Sequence, residues 1–301
     1  MTALLYAFFI LPLSKLPLTV LYRFSDLLFL ITFYGVGYRK KVIRENVARA
    51  FPGLSETERG KIARDFYRHF CDLVFESVRS FSISDEEVRK RFHLNNPEVL
   101  SDAYGRRESI VLVGGHYGNW EWLAMGLPLQ MQHQLVAIYK SLSNPFFDRK
   151  MRETRGRTGL ELVSTREISD FFQRENARVI AGERKPFIVG FGFDQSPGDP
   201  RKAHWIRFLG LETGVVFGAE KLAKEYGLPV YYGIIRKRSR GYYDFTISPL
   251  VQPPHVERSG WILEQGMRLL ESEIRKKPAY WLWSHRRWKH AKPSDRTIYG
   301  E

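Results

Sequence analysis

Apolar and polar positions along the chain alternate between two periods. At 110–114, 135–139, 187–193, 230–235 and 242–247, short runs rich in Val, Ile, Leu, Phe and Tyr are bounded by Gly, Pro or charged residues, which predicts five strands. The first and third are apolar at nearly every position, the pattern of parallel strands covered on both faces. The last two, joined through the basic stretch 236–240, predict a hairpin at the sheet edge. Helical spacing fills the intervals. Over 42–93 the pattern is helical, broken at Pro52-Gly53 and restarted at Ser55-Glu56-Thr57-Glu58, and Phe66, Phe70, Val74 and Val78 recur every four residues. Ile168, Phe171, Phe172 and Val179 trace another helix, 217–226 a third that Gly227 closes in a left-handed turn, and 256–277 a long fourth. This alternation predicts an α/β fold, a central and mostly parallel sheet flanked by helices.

The first 38 residues follow neither period. Residues 1–14 carry no charged side chain, but Pro12 and Pro17 interrupt the apolar stretch, and it is too short to cross a bilayer. Residues 16–38 are long enough, and their only charges, Arg23 and Asp26, are spaced to meet on one helical face. A membrane anchor over 1–38 is therefore expected, as a single span or as a shallow hairpin on one leaflet, ahead of one catalytic domain over 39–301. A cleaved signal peptide is not expected, because the basic start and the small-residue cleavage site are missing. Arg39, Lys40, Lys41 and Arg44 follow at once; the positive-inside bias then keeps the rest of the chain cytoplasmic, and the same cluster can grip anionic headgroups.

Composition narrows the partners. A chain of 301 residues with 44% hydrophobic content can bury a substantial core, and its net charge of +14 calls for an acidic partner. Zinc-finger spacing, an aromatic RNA-binding signature and a Gly-x4-Gly-Lys loop are all missing, so no nucleic acid is expected and an anionic membrane surface is the better partner. Residues 275–292 hold seven Lys or Arg and no acid, interleaved with Trp281, Trp283 and Trp288, which suits a membrane boundary or a docking face for an acidic carrier. The single cysteine, Cys71, excludes an intramolecular disulfide and reads as a core residue, since no His-Asn partner pattern surrounds it.

Candidate chemistry gathers where the first strand stops. SIVLVGGHYGNWEW at 109–122 places His116 just past the strand's carboxyl end and Glu121 five positions on, with Trp120 and Trp122 around them. A neutral imidazole can take a proton from a hydroxyl, and a carboxylate behind it fixes the tautomer, so the pair reads as a base with its orienter. On a regular helix five residues would send the side chains apart. Gly114, Gly115 and Gly118 permit an elbow in which they converge. Asp194 ends the 187–193 strand, and two parallel strands ending in His116 and Asp194 would meet at one crevice. No metal is expected from His116, Glu121 and Asp194, whose spacing matches no ligand motif, and no Gly-x-Ser-x-Gly elbow supplies a nucleophile.

His-Tyr-Gly-Asn-Trp-Glu resembles the His-x4-acid signature of the lysophospholipid acyltransferase superfamily, specifically the late acyltransferases of lipid A biosynthesis. Asn144-Pro145 through Arg155-Gly156-Arg157-Thr158-Gly159, Asp194-Gln195-Ser196-Pro197-Gly198, Phe208-Leu209-Gly210 to Thr213-Gly214, and Tyr280 to Lys289 are similar to four further blocks, in the same order. The resemblance implies a glycerol-3-phosphate-acyltransferase-like domain that moves a fatty acyl chain, with no cofactor and no acyl-enzyme, from an acyl carrier protein or coenzyme A thioester to a hydroxyl of a membrane glycolipid or lipid A precursor. A lysophospholipid, aminolipid or phosphatidylinositol mannoside is the alternative acceptor, and a non-enzymatic membrane-surface binding protein the rival class. It implies His116 and Glu121 as the catalytic pair. Arg155 falls on the arginine of the second block and is expected to hold an acceptor phosphate or the oxyanion. The Asp194 loop is expected to shape the acceptor site, with Gly115, Asn119 and Arg157 as further substrate contacts, and 208–214 to line the acyl chain. The inner membrane, with the domain on its cytoplasmic side, is the implied location.

Overall fold

The computed structural model describes residues 2–299. Met1, at the start of the expected anchor, and residues 300–301, at the end of the expected domain, lie outside the described residues. Ten strands follow in chain order: β1 (Phe92–Leu94), β2 (Ile110–Gly114), β3 (Gln134–Tyr139), β4 (Glu161–Ser164), β5 (Phe187–Gly192), β6 (His204–Phe208), β7 (Leu211–Val215), β8 (Val230–Ser239), β9 (Tyr242–Val251) and β10 (Ile298–Tyr299). Seven form the main sheet, ordered β1-β9-β8-β2-β5-β3-β4, in which only β8 and β9 pair antiparallel. The apolar run of β2 lies at its centre, between β5 and β8.

The expected hairpin forms between β8 and β9, but not at the sheet edge, because the three-residue β1 pairs parallel on the far side of β9. Neither β1 nor β4 was legible: β1 straddles the end of the region whose spacing reads as helix, and a run that short carries almost no periodicity.

Two cores lie on the two faces of the sheet. Val111 and Val113 of β2 pack with helices Gly218–Tyr226 and Trp261–Lys276, while Ile110 and Leu112 pack with Trp122, Met125 and Phe92. Each fully buried Val or Leu contributes about 1.5–3 kcal/mol. A one-residue slip would exchange the two faces, so the register of β2, and the side on which His116 emerges, is strongly fixed.

The helix Glu56–Arg79 opens with a capping box, Ser55 Oγ accepting from Glu58 N–H while the Glu58 carboxylate accepts from Ser55 N–H at 2.8 Å. Gly227 ends Gly218–Tyr226 at φ 64° as expected. The long helix starts only at Trp261, because Pro253 and Pro254 hold a separate short turn ahead of it and Gly260 enters at φ 87°. β6 and β7 make a second hairpin through Leu209 (φ 53°) and Gly210 (φ 77°), extended by β10. Two apolar helical segments, Thr2–Ser14 and Leu18–Val36, precede all of this, and the second is long and apolar enough to cross a membrane.

Candidate active site

Strands β2 and β5 are paired in register up to Gly114 opposite Gly192. Two residues further along each chain stand His116 and Asp194, and parallel neighbours about 4.8 Å apart necessarily deliver them to one place. His116 Nδ1 lies 2.6 Å from Asp194 Oδ1, and the His116 backbone N–H donates to Oδ2 at 2.8 Å. Trp281 Nε1–H donates to the same Oδ2 at 2.8 Å. The glycines here are steric requirements. A Cβ on Gly192 would stand 2.8 Å from His116 Cε1, and one on Gly115 would stand 2.5 Å from Leu270 Cδ2 and 3.1 Å from Asp194 Oδ2.

Burial by itself would raise the Asp194 carboxyl, but the His116 charge, its two hydrogen bonds and that of Trp281 outweigh it and hold the group down at about 2. Burial likewise opposes charge on His116, and the Asp194 carboxylate, helped by the more distant Glu121 charge, leaves its pKa raised above the ordinary value. An ionised carboxylate only accepts hydrogen bonds, so Nδ1 carries the ring proton and Nε2 keeps its lone pair. Gln195 Nε2 approaches that nitrogen at 3.2 Å, and the Trp120 ring lies edge-on to the imidazole at 5.3 Å.

The carboxylate on the His116 ring is therefore Asp194, and not Glu121 as expected. The elbow exists, with Gly118 at φ 68°, but Asn119 caps a helix that begins at Trp120, and in its first turn Glu121 projects towards the helix Pro145–Gly156. There Arg155 grips it by two groups, Nε to Oε2 at 3.0 Å and Nη2 to Oε1 at 2.7 Å. Arg155 thus meets Glu121 with its fork already engaged. Asn119, expected against substrate, is 1% exposed and belongs to the scaffold: its Oδ1 accepts from Trp122 N–H and its amide donates to Glu76 at 2.6 Å. Glu76, fully buried, also accepts from Tyr22 and Tyr243. Arg157 donates to the Ile83 carbonyl at 2.6 Å, tying the end of its helix to the turn before Asp85. Gly115, also expected against substrate, lines the cavity beside His116.

An apolar cavity of about 170 Å³ opens under His116, lined by Leu112, Leu123, Ala124, Leu135, Gly190 and Ile235 among others. Its lining takes in β2, β3, β5 and β8, including the glycines at 114, 190, 192 and 233. The stretch 208–214, expected to line an acyl chain, is instead the β6–β7 hairpin, with Phe208 and Leu209 sealed in the core.

In the C-terminal block, expected as a boundary or docking surface, Arg275, Lys276, Lys277, Arg286 and Lys289 are exposed, but two of the three indoles turn inwards. Trp281 and Trp283 are buried, and Arg287, 2% exposed, donates to the Gly214 carbonyl at 2.8 Å; burial lowers its pKa to about 10. The block is a strap over the site: Gly118 N–H donates to the Tyr280 carbonyl, and Ser196 N–H to His285 Nε2 at 2.9 Å. Sequence reasoning missed Trp281 as the second partner of Asp194. Its mixture with cations resembles a membrane belt, and only the chain's return across the end of β5 reveals otherwise.

Fold and site together define an α/β protein that presents an aspartate-held histidine at the mouth of an apolar cavity. Comparison with known proteins names the group. The model of the bacterial lipid A biosynthesis acyltransferase family matches residues 1–290, and the chain belongs to that family. It is 24% identical over 281 residues to the lipid A biosynthesis lauroyltransferase of Escherichia coli, covering 91% of this chain and 87% of that protein. It is also 24% identical to the lipid A biosynthesis acyltransferase of Haemophilus influenzae, over 89% of this chain and 83% of that one, and to the lipid A biosynthesis palmitoleoyltransferase of Escherichia coli, over 87% and 82%.

Proposed function

We propose that this acyltransferase moves a fatty acyl chain directly from an acyl carrier protein or coenzyme A thioester to a hydroxyl of a lipid A precursor, without an acyl-enzyme. One observation carries the reading: His116 Nδ1, fixed on Asp194 at 2.6 Å, leaves a basic Nε2 at the mouth of an apolar cavity. The acceptor hydroxyl gives its proton to Nε2 as its oxygen attacks the thioester carbonyl, and the imidazolium that forms is stabilised by Asp194. The C–S bond then breaks and the same proton passes to the departing thiolate. The Gly115 backbone amide or the Gln195 side-chain amide supplies a hydrogen bond to the oxyanion. The first methylenes of the chain occupy the cavity, whose volume is comparable to the roughly 150 Å³ apolar cavities that accept a benzene-sized group. Arg155, held by Glu121, positions the polar part of the acceptor.

In this reading the domain has the glycerol-3-phosphate-acyltransferase-like arrangement and works on the cytoplasmic side of the inner membrane, where the cations at 39–44 meet anionic headgroups. Purified protein incubated with a lipid A precursor and an acyl carrier protein thioester is expected to yield a precursor heavier by one acyl chain in mass spectrometry. An unaltered precursor, with transfer instead to a lysophospholipid, an aminolipid or a phosphatidylinositol mannoside, would overturn the lipid A assignment.

A further inference from the structure

We infer that residues 2–38 do not cross the membrane but lie along one leaflet, fastened lengthwise to the catalytic domain. This rests on the membrane association in the proposed function, and on nothing else in that reading. The helix Leu18–Leu30 lies against the helix Glu56–Arg79 with Tyr22 and Ser25 buried between them, while Thr19 and Arg23 stay exposed. Tyr22 donates to Glu76 at 2.8 Å, Ser25 donates to Asp72 at 2.8 Å, and Arg240 bridges Asp26 at 2.7 Å and Asp72 at 2.6 Å. Beyond that helix, Tyr67 donates to the Tyr38 carbonyl and Arg39 to the Ser284 carbonyl. Ahead of it, Arg79 donates to the Ser14 carbonyl at 2.8 Å, and the Tyr6 ring meets Phe81 at 5.4 Å and Phe146 at 5.5 Å.

Contacts at both ends of both segments are incompatible with a span. Leu18–Val36 is about 28 Å long, matching a hydrocarbon core of about 30 Å. Set across it, the segment would carry its neighbour Glu56–Arg79, with Asp65, Asp72 and Glu76, into a medium that excludes charge. Laid flat, it keeps those acids out of the hydrocarbon, and Arg23, exposed on the same helix, can extend its head to the headgroups. The outward face then consists of exposed apolar side chains from both segments, among them Phe8, Phe9, Phe24, Leu27, Ile31 and Val36, while Lys15 and Lys41 stand exposed at the segment ends, within reach of anionic headgroups. Phe146, which receives Tyr6, opens the helix that carries Arg155, so the leaflet surface comes beside the mouth of the site and a lipid acceptor need not leave it far behind.

The test compares Lys15→Cys and Lys41→Cys, both at exposed positions, in full-length protein whose own Cys71 is buried. A membrane-impermeant maleimide is applied to right-side-out and to inside-out vesicles. Both positions labelled from the same side is the expected result; labelling from opposite sides overturns the inference. In a second arm, Phe8→Glu with Phe24→Glu is expected to weaken sedimentation of the purified protein with phosphatidylglycerol vesicles at least tenfold, and unchanged binding refutes the role of the apolar face. Neither arm reads acyl transfer, so a failed assignment of the reaction leaves both interpretable.

Discussion

Replacing Asp194 with Asn changes one oxygen for a nitrogen and separates the two carboxylates beside the site. The surroundings of Asp194 hold its carboxyl down at about 2 against an ordinary 3.8, a displacement equivalent to about 2 kcal/mol in favour of the ionised form. Asp194→Asn removes that charge, and its amide, facing His116 Nδ1, would donate to the ring and place the imidazole proton on the wrong nitrogen. A histidine base of the wrong tautomer costs about a thousandfold to ten-thousandfold in turnover. Because the base must be neutral, activity falls as pH drops through the His116 pKa, which the Asp194 charge keeps above 6.5; without that charge the acid limb moves to lower pH. The assay is initial-rate acyl transfer from pH 5 to 9 with saturating thioester, the KM for acceptor being expected to change little. Glu121→Gln is the counterpart: it disturbs the ion pair with Arg155, so it is expected to act mainly on acceptor KM and to shift the acid limb much less. A large shift from Glu121→Gln with none from Asp194→Asn would refute the assignment of the orienter.

Other outcomes follow from the same geometry. Gly192→Ala is expected to abolish turnover by driving a methyl against His116 Cε1, whereas Gly190→Leu, whose Cβ meets nothing nearer than the Val136 carbonyl at 3.9 Å, should fold, occupy the cavity and favour shorter acyl donors in product mass spectra. Trp281→Phe removes one hydrogen bond to an ionised carboxylate, a loss of about 1.5–3 kcal/mol, and should lower turnover about tenfold or more. Cys71→Ser should keep most activity, since the thiol is buried against Thr32 and burial pushes its pKa up, away from a nucleophilic thiolate; near-total loss would overturn the histidine mechanism.

The sequence was most informative where burial is two-sided or a cap is local. The bounds of β2 could be read directly because every position from Ile110 to Val113 is buried, and the Ser55–Glu58 cap because its partners are three residues apart. Orientation within the site was not legible in the same way. That His116 and Asp194 share a crevice follows from two parallel strands, but which carboxylate takes Nδ1 depends on register, Gly114 opposite Gly192, and on the rotation of a helix start, neither of which spacing encodes. Trp281 and Asn119 show a second limit. A residue 87 positions from Asp194, or one whose amide turns inwards to Glu76, has a role set wholly by tertiary contact.

The central claim is that His116 removes the acceptor proton. Single-turnover transfer from a labelled acyl thioester to a lipid A precursor, in wild type and in His116→Ala, tests it most directly. The account predicts a fall of about a hundredfold to ten-thousandfold in the rate with thioester binding retained; undiminished turnover in the variant would contradict it.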